Sequence, residues 1–250
     1  MTNIILNGCN GKMGIAVTKA VSERDDCQIV AGVDLYGDNS NFKVYRSFSE
    51  LDVKGDVIID FSNPSVLDSM LNFAKVTSTP LIICTTGFSE SQVTQIKEAS
   101  KEIAVFYSGN MSLGINLIIE LSKKAATILG NNFDVEIIEK HHNQKIDAPS
   151  GTALMIADGI SDVLTNSQYV YDRHSYRRKR EKNEIGIHAV RGGTIVGEHE
   201  VIFAGHDEIF SLKHQALSKE VFAVGAVNAA VYLKGKKCGM YDMGNLLSQT

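Results

Sequence analysis

The chain has 250 residues, 44% of them hydrophobic and 22% charged, and carries a formal net charge of -4. That length holds one large or two small folded domains, and the mild acidity speaks against nucleic acid as a partner, which asks for a strongly basic domain. No stretch approaches the roughly 20 apolar residues of a membrane span, and the first residues lack the basic n-region of a signal peptide, so no membrane partner is expected and the expected setting is the cytoplasm.

Residues 4–6 read as a short apolar strand, and Gly8-Cys9-Asn10-Gly11-Lys12-Met13-Gly14 leads from it into a helix over 13–21. A glycine-rich turn between a first strand and a first helix is the setting of a dinucleotide fingerprint. Bare backbone approaches the pyrophosphate there, and the helix N-terminus stabilises its charge. The spacing is G-x-x-G-x-x-G, and Asn10 stands where a second glycine often sits, asparagine being one of the residues that tolerate a positive φ. A second strand over 28–34 ends on Asp34, 20 residues beyond Gly14, where an acid accepts from the adenine ribose 2′-hydroxyl. Leu35 follows where an NADP-preferring site would favour arginine. NADH is therefore expected to be favoured and NADPH usable, with Lys12 as a source of positive charge.

Residues 56–61, 80–84 and 103–107 are nearly continuous apolar runs, the pattern of parallel strands covered on both faces, and helices over 66–75 and 92–101 alternate with them. After Met111 the texture changes. A long helix spans 113–129 and closes on Gly130; residues 133–139 then alternate as a half-solvated strand does. A helix is expected over 150–164, followed by strands over 184–190, 195–204 and 208–216, the last two joined by the turn Gly205-His206-Asp207. A final helix runs over 218–234 and stops at Gly235. The fold class is α/β: an N-terminal Rossmann-like dinucleotide-binding domain with a second α+β domain built on an open mixed sheet.

Between the alternating strand and its helix lies Glu139-Lys140-His141-His142-Asn143-Gln144-Lys145-Ile146-Asp147-Ala148-Pro149-Ser150-Gly151-Thr152. Neighbours on a strand face opposite ways, so His141 and His142 share a pocket only if the strand ends there. Pro149 keeps the preceding segment extended, and Ser150 is a natural N-cap. Gly151 and Thr152 then offer bare N–H groups at a helix N-terminus, an anion site. Lys145 and the imidazoles add donors, and an imidazole with its reference pKa of about 6.5 exchanges protons near neutrality. The set suits a small carboxylate-bearing molecule; a solvated loop with an ordinary helix cap is the plainer alternative.

This run, continued to Ala153, resembles the signature of the dihydrodipicolinate reductases. Asp60-Phe61-Ser62-Asn63-Pro64, Thr85-Thr86-Gly87-Phe88, Asn110-Met111-Ser112-Leu113-Gly114 and Arg191-Gly192-Gly193-Thr194-Ile195-Val196-Gly197-Glu198-His199 are similar to segments of the same family. The resemblance implies an NADH- or NADPH-dependent reductase of a small dicarboxylate in lysine and diaminopimelate biosynthesis. It implies cofactor contacts from Gly8, Cys9, Asn10, Gly11, Lys12, Met13, Asp34, Cys84, Thr85, Thr86, Ser108, Gly109, Asn110 and Met111. It makes His141 the proton donor or acceptor and Lys145 a proton donor that also contacts substrate, with His142, Gly151 and Thr152 binding the substrate carboxylate. Hydride would reach the ring after loss of its hydroxyl, and a general acid would protonate the resulting enamine. Cys84 and Met111 depart from the family, which commonly has glycine and phenylalanine there. The resemblance further implies a cofactor domain of 1–111 and 228–250, a substrate-binding and oligomerisation domain of 112–227, and a homotetramer built through the second sheet.

Other features are discounted. The basic run Arg173-His174-Ser175-Tyr176-Arg177-Arg178-Lys179-Arg180 reads as a solvated loop, with attraction of a dianionic substrate as a lesser role. Glu198 and His199 lie mid-strand and read as sheet pairing. Cys9, Cys27, Cys84 and Cys238 form no C-x-x-C pair, no histidine is spaced to complete a zinc site, and no metal is expected; scattered thiols suit a reducing compartment. Two rivals stay open. One is a different oxidoreductase on the same cofactor domain: the Tyr-x-x-x-Lys pair of short-chain dehydrogenases is not expected here, but Cys84 at a strand end could serve a semialdehyde dehydrogenase. The other is a dinucleotide-sensing regulator whose 173–180 run touches DNA and which has no use for His141 or Lys145.

Overall fold

The structure, a computed structural model, describes residues 1–37, 41–175 and 177–248. The chain forms two compact units, Met1–Ser112 with Glu220–Thr250, and Leu113–Lys219.

The first unit opens with β1 (Thr2–Asn7), α1 (Lys12–Ser22), β2 (Cys27–Val33), β3 (Val44–Tyr45), β4 (Val57–Asp60), α2 (Leu67–Thr77), β5 (Leu81–Ile83), α3 (Glu90–Ala99) and β6 (Ala104–Tyr107). Every pairing among these strands is parallel. Ile5, Ile58, Leu81, Ile83 and Val105 pack in one core with Leu67, Met70, Leu71 and Ala74 of α2 and Ile96 of α3. Their neighbours along the strands, Ile4, Leu6, Ile59, Ile82 and Phe106, are equally buried. Covering each such side chain contributes roughly 1.5–3 kcal/mol, which is why these strands read as unbroken apolar runs. The two-residue β3 is too short to carry a periodicity and was not expected.

The second unit contains α4 (Leu113–Leu129), β7 (Asp134–His141), α5 (Gly151–Ser161), β8 (Gln168–Val170), β9 (Glu184–Arg191), β10 (Gly197–Ala204) and β11 (Ile209–Ala216). Its sheet runs β11-β10-β7-β9-β8. β10 is antiparallel to both of its neighbours, while β7, β9 and β8 are mutually parallel, so the sheet is mixed, as expected. One face packs Val135, Ile137, Ile185, Ile187, Val201 and Phe203 against Ile118 and Ala126 of α4 and Ile156 and Ile160 of α5. The other face keeps Ile138, Lys140, Glu198, Glu200 and Ile202 half-buried.

The chain then returns to the first unit through α6 (Glu220–Leu233), β12 (Gly239–Tyr241) and α7 (Met243–Leu247). β12 pairs parallel with β6 and completes a seven-stranded order β12-β6-β5-β4-β1-β2-β3. The division expected at residue 228 would cut α6 in two; the return lies at Glu220, because Ala223, Gly225, Ala226 and Val227 are buried along with Ala229, Ala230 and Leu233 in one continuous helix. Gly225 lies so near Met111 that a Cβ would stand 1.7 Å from the Met111 carbonyl oxygen. Gln249 and Thr250, at the end of the expected cofactor domain, lie outside the described residues. Contrary to expectation, a Tyr-x-x-x-Lys pair is present at Tyr232 and Lys236. Tyr232 is edge-on to both Phe106 and Tyr241, with Lys236 Nζ 4.5 Å above its ring and its hydroxyl pKa raised by burial. It is a packing tyrosine.

No helix among the described residues is long and apolar enough to cross a membrane.

Candidate active site

The strand order of the first sheet reverses between β1 and β4, and in open parallel sheets ligands bind outside the carboxyl ends at such a switch point. There Gly8 adopts φ of +75°, and a Cβ on it would stand 2.5 Å from the Phe61 carbonyl oxygen, so both backbone and space require glycine. A Cβ on Gly14 would stand 2.3 Å from the Gly8 carbonyl oxygen, which lets α1 sit tightly on the turn. Gly11 is the N-cap of α1 and brings no side-chain cap, leaving the helix N-terminus to a ligand. A cleft of about 640 Å³ opens here, with Gly8, Gly11 and Asp34 in its wall. A pyrophosphate-bearing dinucleotide fits these residues.

Asp34 follows β2 and holds the turn: the Asn10 N–H donates to its Oδ2 over 3.0 Å and the Tyr36 N–H to its Oδ1 over 3.1 Å. The Asn10 amide donates to the Tyr36 carbonyl over 2.5 Å. Asn10 does not use the left-handed region; among the described residues the non-glycine positions there are Ser78 and Asn166. Its value is in these hydrogen bonds. The Cys9 side chain is fully buried, and a Cβ on Gly32 would meet its Sγ at 2.5 Å. Burial first, and Asp34 second, push its thiol up to about 11, so only its main chain can meet a cofactor. Lys12 and Met13 open α1, exposed and half-buried.

The remaining residues implied for the cofactor lie after β5 and β6 and do not themselves line that cleft. Thr85 is buried and its Oγ1 accepts the Ser62 N–H over 2.9 Å, while Thr86 is exposed. Cys84 has its thiol held well above the ordinary range by desolvation and then by Asp60, which disfavours the thiolate a semialdehyde dehydrogenase needs. The Ser108 hydroxyl donates to the Asn110 carbonyl, and Asn110 Oδ1 accepts the Ser112 N–H over 2.8 Å. Gly109 is exposed; Asn110 and Met111 are buried. Sequence reading missed the buried pair beneath this region, in which the Asn7 amide donates to Asp60 Oδ1 over 2.8 Å. It also missed Arg46 and Ser47 of the cleft wall. Parallel pairing of Val33 with Tyr45 sets Arg46 beside Asp34, a neighbourhood with no local sequence signal.

In the second unit the chemistry gathers at the end of β7. Glu139 is wholly buried, and its carboxylate accepts from His141 Nδ1 at 2.6 Å, from both terminal nitrogens of Arg191 at 2.7 Å, and from the Ser150 N–H at 2.9 Å. Burial, the largest influence, pushes this carboxyl up, but Arg191, His141 and the Ser150 N–H together outweigh it and the net shift is downward. An ionised Glu139 fixes His141 with its proton on Nδ1 and leaves Nε2 for exchange. Burial lowers the His141 pKa against the opposing pull of Glu139. Arg191 also donates to the Asp147 carbonyl over 2.6 Å, and the Gly192 N–H donates to the His141 carbonyl over 2.9 Å. Ser150 caps α5 as expected, its Oγ accepting the Ala153 N–H over 3.2 Å, so Gly151 and Thr152 do stand at a helix N-terminus. Lys145 Nζ lies 2.7 Å from Asp147 Oδ1. His142 is half-buried at the strand end, and its carbonyl accepts the Lys145 N–H over 3.1 Å.

Two discounted features change meaning. The run Arg173–Arg180, of which Tyr176 lies outside the described residues, is an exposed loop, as expected, but its arginines are not merely solvated. Arg173 bridges Glu184 at 2.6 Å and Glu136 at 2.8 Å, Arg178 reaches Glu184 at 2.6 Å, and Arg180 pairs with Asp134 and Glu136 at 2.9 and 3.0 Å. Three of its arginines are therefore committed to carboxylates of β7 and β9, which speaks against the DNA-touching regulator. His199 is not plain sheet pairing either. It is buried, its Nε2 lies 3.1 Å from Ser150 Oγ, and its ring stands edge-on to His141 at 5.3 Å. The signal for it was present: His199 alternates in phase with Val201 and Phe203.

Comparison with known proteins places these features in one group. The family model described as dihydrodipicolinate reductase, N-terminus, matches residues 2–111, and that described as dihydrodipicolinate reductase, C-terminus, matches 114–247. The 4-hydroxy-tetrahydrodipicolinate reductase of Clostridium novyi (strain NT) is 50% identical over 248 residues, covering 99% of this chain and 98% of that protein. The protein of the same name from Caldanaerobacter subterraneus subsp. tengcongensis is 50% identical over 250 residues, covering 100% and 99%. Among solved structures, the dipicolinate-bound dihydrodipicolinate reductase from Paenisporosarcina sp. TG-14 matches with a TM-score of 0.79 and 25% identity over 97% of each chain. Matching family models across both units, with relatives at half identity end to end, establish that this chain belongs to the dihydrodipicolinate reductase family.

Proposed function

We propose that this protein reduces 4-hydroxy-tetrahydrodipicolinate to tetrahydrodipicolinate with NADH or NADPH, a step of lysine and diaminopimelate biosynthesis. The observation that carries the reading is the buried Glu139 carboxylate that joins His141, Arg191 and the cap of α5 in one rigid assembly. The names borne by the full-length relatives supply the substrate.

The first unit holds the dinucleotide. Gly8, Cys9, Asn10, Gly11, Lys12 and Met13 give the pyrophosphate main-chain donors and a helix N-terminus. Asp34 accepts from the adenine ribose, and Cys84, Thr85, Thr86 and Ser108 to Met111 complete the contacts. When bound, the reduced nicotinamide supplies the hydride. NADH is favoured, because Asp34 suits a free 2′-hydroxyl and Leu35 carries no charge; Arg46 in the same wall makes NADPH usable.

The second unit holds the dicarboxylate. His142, Lys145 and the N–H groups of Gly151 and Thr152 bind a carboxylate at the positive end of α5. His141 exchanges the proton at Nε2, the nitrogen Glu139 leaves free, and Lys145 is the second proton donor. The dipicolinate in the Paenisporosarcina relative is a ligand of the same class. Partly exposed apolar side chains on the sheet face away from α4 and α5, among them Ile138, Ile202 and Ile209, support assembly as a homotetramer. Four cysteines without a disulfide support a cytoplasmic setting.

The test follows NADH absorbance with enzymatically generated substrate for the wild type, His141→Ala and Lys145→Ala. Each variant should lose on the order of 100-fold in turnover. Wild-type rates in both would remove the assignment.

A further inference from the structure

Nothing in the family's reaction as set out above gives His199 a task, yet it stands where the proton-exchanging ring and the carboxylate site meet. β10 pairs His199 directly with Glu139 of β7 on one side and with His214 of β11 on the other. All three project toward the helix side of the sheet, in phase with Val201 and Phe203. Two residues earlier on the same strand, Gly197 has no side chain, and a Cβ there would stand 3.1 Å from His141 Nε2. The His141 ring lies over that bare position and meets the His199 ring edge-on at 5.3 Å and 73°.

From the other side His199 reaches the helix cap. Its Nε2 lies 3.1 Å from Ser150 Oγ, and the same oxygen accepts the Ala153 N–H. The Ser150 N–H meanwhile donates to Glu139 Oε1. Glu139 and His199, partners across adjacent strands, thus grip the main chain and side chain of the one residue that starts α5. Its other ring nitrogen, Nδ1, is buried without a hydrogen-bond partner among the described residues. A buried polar atom left unpaired works against stability, so the imidazole is not explained by packing alone. Burial, and next the charge on His141, lower its pKa to about 4. It therefore stays neutral beside His141 at working pH and adds no competing cation.

We infer that His199 is a positioning residue, which sets the His141 ring and the N-terminus of α5 in fixed register so that the exchanged proton and the bound carboxylate keep one geometry. The inference rests on the proposed roles of His141 and α5. A ring at position 199 supplies the edge contact, and a polar atom at the Nε2 position supplies the bond to Ser150. Two substitutions separate them: His199→Phe keeps a ring and loses the bond, whereas His199→Gln keeps an amide near the Nε2 position and loses the ring.

The experiment measures pyridine-2,6-dicarboxylate binding by calorimetry and the pH profile of kcat, on wild type and both variants. His199→Phe should bind the dicarboxylate about tenfold more weakly, the worth of one net hydrogen bond, and His199→Gln should bind it nearly as wild type does. In His199→Gln the alkaline limb of kcat, set by His141, should move up toward the ordinary imidazole range as that ring loses its cover. A residue of merely structural worth would lower the urea midpoint and leave the limb in place. Binding within twofold in His199→Phe, with an unmoved limb in His199→Gln, overturns the inference. If His199→Phe does not fold, the limb in His199→Gln decides alone. A wild-type protein that neither binds the dicarboxylate nor oxidises NADH with the substrate fails differently, because it removes the proposed function itself.

Discussion

His141 Nδ1 and Glu139 Oε2 are 2.6 Å apart, and the carboxylate that binds the ring is held on its other edge by both terminal nitrogens of Arg191. A neutral amide in place of Glu139 keeps the shape but no longer selects the tautomer or supports a protonated ring. Glu139→Gln should therefore lower kcat on the order of 100-fold, with KM changing much less. Because burial already lowers the His141 pKa and Glu139 opposes it, the alkaline limb of kcat should lie below about 6.5 in the wild type and lower still in the variant. Steady-state rates across pH check both; a loss under about threefold would remove the tautomer argument.

His199 makes stability depend on pH in a definite direction. Its folded-state pKa of about 4 lies below the ordinary 6.5, so the unfolded chain takes up the proton first. The stabilising contribution is complete above about pH 6.5 and is lost as pH falls through about 4, a change of about 3 kcal/mol at most. Urea midpoints measured between pH 7.5 and pH 4, on the wild type and His199→Gln, should show the variant losing less stability over that window. Parallel curves would contradict it.

Asp147 competes for the group that should bind substrate. Its carboxylate pairs with Lys145 at 2.7 Å, and Lys145 foremost, with smaller help from the main-chain N–H groups of Asp147 and Gly151, holds it below the ordinary carboxylate range against desolvation. Asp147→Asn should free Lys145 and tighten pyridine-2,6-dicarboxylate binding several-fold, a gain that damage to the loop cannot produce. Titration calorimetry decides, and weaker binding would show that Asp147 aligns Lys145 rather than occupying it.

Arg46 separates the two cofactors. It lines the same wall as Asp34 and Tyr36, one strand outward, where a 2′-phosphate would need a cation. Arg46→Ala should weaken NADPH about tenfold or more and leave NADH within about twofold. Nucleotide fluorescence titrations read both; equal weakening would place Arg46 against the adenine instead.

Much of this was legible in the sequence because it is local. The Gly8–Gly14 turn, the apolar runs of β4, β5 and β6, the alternation of β7 and the Ser150 cap are each written within a dozen residues. What escaped is set by pairing between strands distant in the chain. Arg191 meets Glu139 because β7 and β9 run parallel with His141 opposite Arg191, and Arg46 shares a cleft wall with Asp34 because β3 pairs with β2. β3, β8 and β12 are two or three residues long, too short for a period to show. Asn10 was assigned to backbone freedom when its polar atoms do the holding, and the arginines of 173–180 read as solvated because the carboxylates that bind them lie up to 46 positions away.

The first unit is made of two separated pieces of chain. Its glycine turn is encoded within the first fourteen residues, but α6, which packs against α1, and β12, the outermost strand, are not available until residue 241 has been added. Residues 113–219, by contrast, are contiguous. During synthesis from the amino terminus the second unit has all its parts first, while the nucleotide cradle waits with one layer missing. An unfinished parallel sheet exposes apolar surface and an open edge, so truncation beyond Lys219 should yield chains that a chaperone retains, in which the earliest-made motif is the last to become competent.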